Sequence, residues 1–160
     1  MQRSKRTRVL IATATIVIGA LALAACGPAP GPASSAASDV RARTNYLRLI
    51  NGRNALGFDG YLEGNAQLHA DRLANGATDC SHLWHSGEMG SWYAGAAWGE
   101  NVACVPGCPG DGAVAVDMWV HSPGHNANLQ NPAWNVTGVG VTCNGTVEMI
   151  VAHYLSLIHI

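Results

Sequence analysis

The chain has 160 residues, a net charge of −1 at pH 7 and 12% charged residues. This length suits one domain once a targeting segment is set aside, and so few charges leave no basic face for binding nucleic acid. The 19 glycines and five tryptophans favour a loop-rich mixed fold over a helical bundle, because glycine permits tight turns and tryptophan supplies large apolar anchors.

The first 25 residues have the pattern of a secretory signal peptide. Basic side chains at positions 3, 5, 6 and 8 precede an apolar stretch over residues 9–25 that ends in small residues. A membrane span is the alternative, since the stretch is only slightly shorter than a bilayer core requires. Leu23-Ala24-Ala25-Cys26 resembles a bacterial lipobox, in which the chain is cut before an acylated cysteine. We therefore predict an extracytoplasmic protein anchored to the bacterial cell membrane through lipidated Cys26, or secreted if Cys26 is not lipidated.

Cysteine counting agrees with lipidation, although a chance cysteine after an ordinary cleavage site is the alternative. Without Cys26 an even set remains, which an oxidising compartment favours as two disulfides. Cys104 and Cys108 enclose three residues, so we expect a bridge that staples a local turn, and by exclusion a second bridge from Cys80 to Cys143. The short spacing also resembles a metal knuckle, and sequence alone leaves the pairing open.

The start of the mature chain predicts a tether followed by two helices. Residues 26–38 are mostly Gly, Pro, Ala and Ser, which cannot build a core. Asp39 is a plausible N-cap for a first helix that runs to about residue 55, with Gly57 near its end. Apolar and small residues at spacings of three and four predict a second helix over residues 62–74, which ends by Gly76.

The rest of the chain predicts a long loop, two short helices and a hairpin. Residues 77–112 show neither a helical nor a strand repeat of apolar residues, and a loop of this length predicts a functional role. Helices are expected over residues 113–120 and from the N-cap Ser122 to about Asn131. Apolar residues that alternate with small or polar ones before the turn signal Asn144-Gly145 predict an antiparallel hairpin, whose return strand ends at residue 154. This order predicts an α+β fold in which helices cover a small antiparallel sheet with a C-terminal hairpin.

Residues 155–160 resemble the translation of a sequencing adapter, which would replace the natural C-terminus. The alternative is a continuing apolar strand. We assign no role to these residues, His159 included.

Four motifs occur in one order along the domain. They are Gly99-Glu100-Asn101-Val102-Ala103, then Trp119, then Ser122-Pro123-Gly124-His125 with Asn128-Leu129, and last Gly138-Val139-Gly140-Val141. Each is weak alone, but their order and gaps resemble bacterial CAP domains, the SCP-like extracellular or cysteine-rich secretory protein family, over residues 39–154. The resemblance implies an α-β-α sandwich, in agreement with the layering predicted above.

The resemblance also implies a central cleft lined by two histidines and two acids. Glu100 matches the first acid and His125 the second histidine, while His85 fits the first histidine better than His82, which we expect outside the site. Ser122 stands where the second acid is expected, so the set is incomplete. Two imidazoles and a carboxylate can hold zinc with an open position, which makes His85, Glu100 and His125 candidate metal ligands.

The residues by themselves also allow a purely structural interpretation. Glu100 would then bind loop backbone groups, and His125 would be a helix cap or core contact. His69 and His121 are expected to be solvated helix-face residues without a role. Four tryptophans could line a ligand groove, but large aromatic residues in a Gly-rich domain more often form its core. These are Trp84, Trp92, Trp98 and Trp119.

The leading functional hypothesis is a non-enzymatic envelope protein whose cleft binds a small apolar ligand, such as a lipid, or a protein partner. The alternatives are a metal-dependent hydrolase or protease of the envelope, and a structural or adhesive surface module. The sequence has no zinc-protease helix, nucleophile elbow or phosphate loop, and no catalytic residue is assigned.

Overall fold

The computed structural model of the chain describes residues 32–157, with side chains from residue 35 onward. The predicted signal peptide over residues 1–25, the lipidation site Cys26 and the last three residues lie outside the described part. Among the described helices, none combines the length and the hydropathy that crossing a membrane requires.

Within the described residues the chain forms five helices and a four-stranded sheet. In chain order these are α1 (Pro32–Ile50), β1 (Gly57–Phe58), α2 (Gly60–Ala74), α3 (Met89–Trp92), β2 (Ala97–Pro106), α4 (Gly112–Val120), α5 (Pro123–Gln130), β3 (Val136–Cys143) and β4 (Val147–Ser156). The predicted α+β class is confirmed. The observed α2, α4 and α5 each begin and end within two residues of the predicted helices.

The sheet is mixed and has the strand order β1-β3-β4-β2. β4 pairs antiparallel with β3 and with the whole of β2, and two residues of β1 pair parallel with β3. The predicted C-terminal hairpin is therefore present, and it supplies the two central strands. β2 lies at one edge of the sheet, which places the outer side of this strand next to the connecting segments and α5.

Helices cover both faces of the sheet. α2 packs with one set of strand side chains, and α1 and α4 enclose the other set. Two glycines of β3 permit a close approach of α2, because a Cβ added at Gly138 or Gly140 would lie 2.1 or 2.2 Å from a backbone nitrogen of that helix. This arrangement is the sandwich that the family resemblance implies.

The first helix differs from its prediction at both ends. It begins at Pro32, within the predicted tether, so Asp39 lies inside the helix and is not its N-cap. Ala36 and Ala37 are buried in the core. It ends at Ile50 because Gly52 adopts a φ of 70°. The N–H groups of Gly52 and Arg53 then bond to carbonyls of the last turn, at 3.1 and 2.8 Å, in a Schellman arrangement.

The predicted loop over residues 77–112 is wrong in its second half, where β2 occupies ten residues. Seven successive residues of this strand, 99–105, are buried, since helices cover both faces of the sheet at that point. A strand buried on both faces does not alternate between apolar and polar residues, which removes the signal that identifies a half-exposed strand.

All four cysteines of the domain form disulfides, but the predicted pairing is wrong. Cys80 bonds to Cys104, and Cys108 bonds to Cys143. Cys104 lies inside β2, and an extended chain rises about 3.3 Å per residue, which carries Cys108 past the strand end and out of bridging distance. There Cys108 meets the end of the hairpin, while Cys104 faces α2 and the segment after it.

The last strand extends beyond the predicted domain boundary. Leu155 and Ser156 pair with residues of β2, and Leu155 is buried. The first two of the six terminal residues therefore lie in the sheet, whatever their origin.

Candidate functional site

Glu100 is the centre of a buried polar cluster at the edge strand β2. Its side chain is 3% exposed, and the residue stands directly opposite His153 of β4. The Oε1 atom accepts hydrogen bonds from His85 Nδ1 at 2.7 Å and from the backbone N–H of Ser86 at 2.9 Å. The Oε2 atom accepts one from His153 Nε2 at 3.0 Å. Both carboxylate oxygens are thus engaged by protein donors.

These contacts determine the charges in the cluster. Burial alone would raise the pKa of Glu100, but hydrogen bonds from His153, His85 and the Ser86 N–H together lower it below its ordinary value. Burial lowers the pKa of His153, and the neighbouring Glu100 offsets only part of this effect. The cluster at neutral pH is therefore a carboxylate bound by a neutral imidazole, His153.

Two further side chains complete the buried cluster. The Tyr93 hydroxyl lies 2.7 Å from His153 Nδ1, and burial raises the pKa of Tyr93 to about 12, so it keeps its proton. His69 of α2 donates from Nε2 to the carbonyl of Trp84 at 3.0 Å, and the same nitrogen lies 3.8 Å from Glu100 Oε2. His69 thereby fastens the segment that carries His85 onto α2.

Helix α5 is fastened to the outer edge of β2 by amide side chains. Asn128 Nδ2 donates to the Glu100 carbonyl and to Asn101 Oδ1, each at 3.0 Å. Asn101 Nδ2 donates in turn to the His125 carbonyl at 3.1 Å. These bonds bring His125 beside His85, with ring centroids 6.4 Å apart.

Two small cavities meet at His85. One, of about 160 Å³, is lined by Leu83, Trp84, His85, Val102 and His125. The other, of about 340 Å³, has Met89, Trp98, Glu100 and Asn128 among its walls. At the rim, Trp84 and Trp98 are 50% and 44% exposed, and Leu83 is 41% exposed. We call these two cavities and their rim the cleft.

A cavity of about 760 Å³ lies elsewhere, between the end of α2 and the hairpin. It is larger than the cleft, but two of its polar side chains already bind the protein: Asp71 bonds to Gln67 and Thr142, and Asn144 bonds to backbone carbonyls. We place the candidate site at the cleft, where His85 presents a ring that is 63% exposed.

The structure brings together three of the residues singled out from the sequence, namely His85, Glu100 and His125. His82 is exposed and contacts Ser81, and it lines neither cavity of the cleft. Ser122 is the residue before α5, where its side chain makes no capping bond. It does not line the cleft cavities either.

The predicted three-ligand metal centre does not form in the described residues. No group of three or more His, Cys, Asp or Glu side chains in residues 35–157 is arranged to hold a metal ion. The physical reason is that the oxygens of Glu100 bind His85, Ser86 and His153. The donor set that fits a zinc ion is therefore limited to the two imidazoles, His85 and His125. The pKa of His125 is lowered, first by burial and then by His85, which favours the neutral form that a metal requires.

Sequence reasoning missed His69, His153 and Tyr93. The prediction that His69 is a solvated helix-face residue is wrong, since His69 is buried on α2. It shares the helical spacing of Ala66, Ala70 and Leu73, so this position could have been predicted from the sequence. His153 has no comparable signal, because its contact with Glu100 depends on the register between β2 and β4. The tryptophans differ in burial. Trp119 is buried and donates to the Val102 carbonyl, while Trp84 and Trp98 are exposed at the rim of the cleft.

Comparison with known proteins agrees with this fold. The model of the cysteine-rich secretory protein family, CAP, matches residues 41–155. The chain belongs to this family. No curated protein matches the sequence.

Solved structures show the same fold at low identity. An extracellular SCP-domain protein from Bacillus anthracis is 22% identical, with a TM-score of 0.62, and covers 78% of this chain and 41% of its own. An outer surface protein from Borrelia burgdorferi is 20% identical, with a TM-score of 0.62, and covers 76% of this chain and 92% of its own. A structure described as NaASP2 with Zn²⁺ is 14% identical, with a TM-score of 0.53, and covers 78% of this chain and 80% of its own.

The chain spans about two fifths of the length of the Bacillus protein. The two disulfides of this chain indicate an extracytoplasmic location.

Proposed function

We propose that this protein is a non-enzymatic binding protein of the bacterial envelope, and that its cleft takes a small apolar ligand such as a lipid chain. The observation that carries the proposal is the rim, where the large apolar side chains of Leu83, Trp84 and Trp98 are exposed around two cavities. Binding sites for small molecules are typically concave and apolar with a few polar groups, and the imidazoles of His85 and His125 are such groups.

The state of Glu100 favours binding over hydrolysis. A general base must reach a proton of the substrate or of a water molecule. Both oxygens of Glu100 are held by protein donors, and Ser122 replaces the second acid of the family pattern. Of the described acids, Glu100 is the one that lines the cleft.

A metal-dependent hydrolase is the second candidate, because the His85 and His125 rings lie close together and a structural relative is described with Zn²⁺. If zinc binds here, the two imidazoles would hold it, and the ion would supply Lewis-acid chemistry. Glu100 would orient His85 through the hydrogen bond to its Nδ1 atom.

The binding proposal predicts that the rim tryptophans determine affinity for an apolar probe. We expect Trp84→Ala and Trp98→Ala each to weaken binding of the neutral dye N-phenyl-1-naphthylamine about tenfold, since burying an aromatic side chain contributes about 1.5–3 kcal/mol. Fluorescence titration of the full chain would measure this. Tyr46→Ala is the matched control, because Tyr46 is 55% exposed on α1, away from the cleft, and should leave the affinity unchanged.

Two results would contradict the binding proposal. Equal affinity in wild type and both rim variants would remove the cleft as the binding site. Zinc-dependent peptide cleavage that Glu100→Gln abolishes would establish the hydrolase instead.

We also propose that the protein is attached to the membrane through acylated Cys26. Two acyl chains suffice for stable anchoring where one is marginal. The full-length protein expressed in a bacterium should partition into the detergent phase, and Cys26→Ser should appear in the medium or remain as uncleaved precursor. Cleavage and release of Cys26→Ser identical to those of the wild type would exclude the anchor.

A further inference from the structure

A chain of hydrogen bonds leads from the core of the domain to the cleft. It runs from the Tyr93 hydroxyl to His153, from His153 to Glu100, and from Glu100 to His85, with distances of 2.7, 3.0 and 2.7 Å. The first three side chains are buried, whereas His85 is largely exposed. The family motifs named Glu100 and His85 but assigned nothing to Tyr93 or His153.

The direction of each hydrogen bond follows from the chemistry of its partners. An ionised carboxylate only accepts, so His153 donates from Nε2 and His85 donates from Nδ1. The neutral His153 ring then has a lone pair on Nδ1, which accepts the proton of the Tyr93 hydroxyl. In the neutral tautomer that donates from Nδ1, the His85 ring likewise has its lone pair on Nε2, the nitrogen that Glu100 does not bind.

Glu100 needs a donor on its inner oxygen to keep this geometry. Oε1 is held by His85 and the Ser86 N–H, and His153 supplies the direct hydrogen bond to Oε2, since His69 Nε2 is 3.8 Å away and donates to Trp84. A buried carboxylate oxygen that loses its donor is costly. Without His153, the carboxylate is expected to rotate toward another donor and release His85.

We propose that His153 and Tyr93 are positioning residues of the cleft, which act through Glu100 to fix His85 as the tautomer with its Nε2 lone pair free for a ligand. Outer hydrogen-bond partners of this kind determine the tautomer and orientation of histidines that bind ligands or metals. The inference rests on the proposed function only in placing the ligand at the cleft, and its test needs no ligand.

The test is NMR of the full chain with ¹⁵N-labelled histidine, which distinguishes a protonated from an unprotonated ring nitrogen. In the wild type we expect His85 protonated on Nδ1 and His153 protonated on Nε2. His153→Leu should abolish the His85 Nδ1–H form as the main species, because Glu100 loses its inner donor. His153→Gln should keep that form, since the carboxamide can donate to Glu100 and accept from Tyr93.

Controls separate this role from a merely structural one. Thermal unfolding of each variant shows whether the fold persists. If His153→Leu does not fold, Tyr93→Phe provides the test instead. In that variant we expect His153 to lose its single tautomer and the Nδ1 protonation of His85 to weaken. A wild-type His85 protonated on Nε2, or a His85 tautomer unchanged in every folded variant, would overturn the proposal. Failure of dye binding with the expected tautomers would count against the proposed function alone.

Discussion

Replacement of Arg48 by methionine should lower the free energy of unfolding by about 3 kcal/mol. The guanidinium is fully buried and donates to three backbone carbonyls, those of Asn54, Leu129 and Asn131, at 2.7–3.0 Å. Methionine fills similar space but leaves these carbonyls without their donor, at a cost of about 1–3 kcal/mol for each that water cannot reach. Urea unfolding monitored by tryptophan fluorescence would measure the change.

Arg43→Met is the matched control on the same helix. Arg43 makes a partly exposed ion pair with Asp117 at 3.1 Å, and such pairs contribute about 0–1 kcal/mol. A loss from Arg48→Met no larger than that from Arg43→Met would contradict the prediction. Because two of the three carbonyls lie at the end of α5, Arg48 also holds the helix that carries His125.

Removal of the Cys80–Cys104 disulfide should loosen the cleft as well as destabilise the domain. The bridge joins the segment that carries His85 to β2, the strand that carries Glu100, across a sequence separation of 24. The chain-entropy model assigns such a bridge about 3–4 kcal/mol. In Cys80→Ala/Cys104→Ala we also expect hydrogen exchange at the Ser86 amide to increase about tenfold, since its bond to Glu100 depends on that segment.

The second disulfide provides the control. Cys108 and Cys143 are 35 residues apart and connect the end of β2 to the hairpin, where no cleft residue lies. Cys108→Ala/Cys143→Ala should cost similar stability in the same model, while exchange at the Ser86 amide stays within about twofold of the wild type under native conditions. Equal acceleration in both double variants would show that the first bridge has no specific role at the cleft.

Local signals in the sequence predicted several elements well. Pro123 begins α5 directly after Ser122, as the cap pattern predicts. The hairpin turn at Asn144-Gly145 was equally readable, with Gly145 at a φ of 95°. These features depend on neighbours a few residues apart, so the chain itself contains the information. The predicted end of α1 near Gly57 is wrong, because Gly52 already ends the helix with its positive φ.

The family motifs located part of the site. His85, Glu100 and His125 do lie together, as the order of the motifs implied. The sequence could not show that the oxygens of Glu100 are already bound, since their partners come from the segment before α3 and from β4. These contacts, which compete with a metal-ligand role for this acid, are not contained in the residue types alone.

Composition, local caps and motif order determined the α+β class, the helices α2, α4 and α5, the hairpin and three residues of the cleft. Tertiary structure alone decided the strand β2, the disulfide pairing and the inner partners of Glu100. The inner partner of Glu100 depends on the register of β2 against β4, which pairs Glu100 with His153 across 53 positions of sequence. The disulfide pairing depends on the extension of β2, which carries Cys108 away from Cys104. Register is set by the packing of helices on both faces of the sheet, and burial on both faces removes the alternation by which a sequence would reveal it.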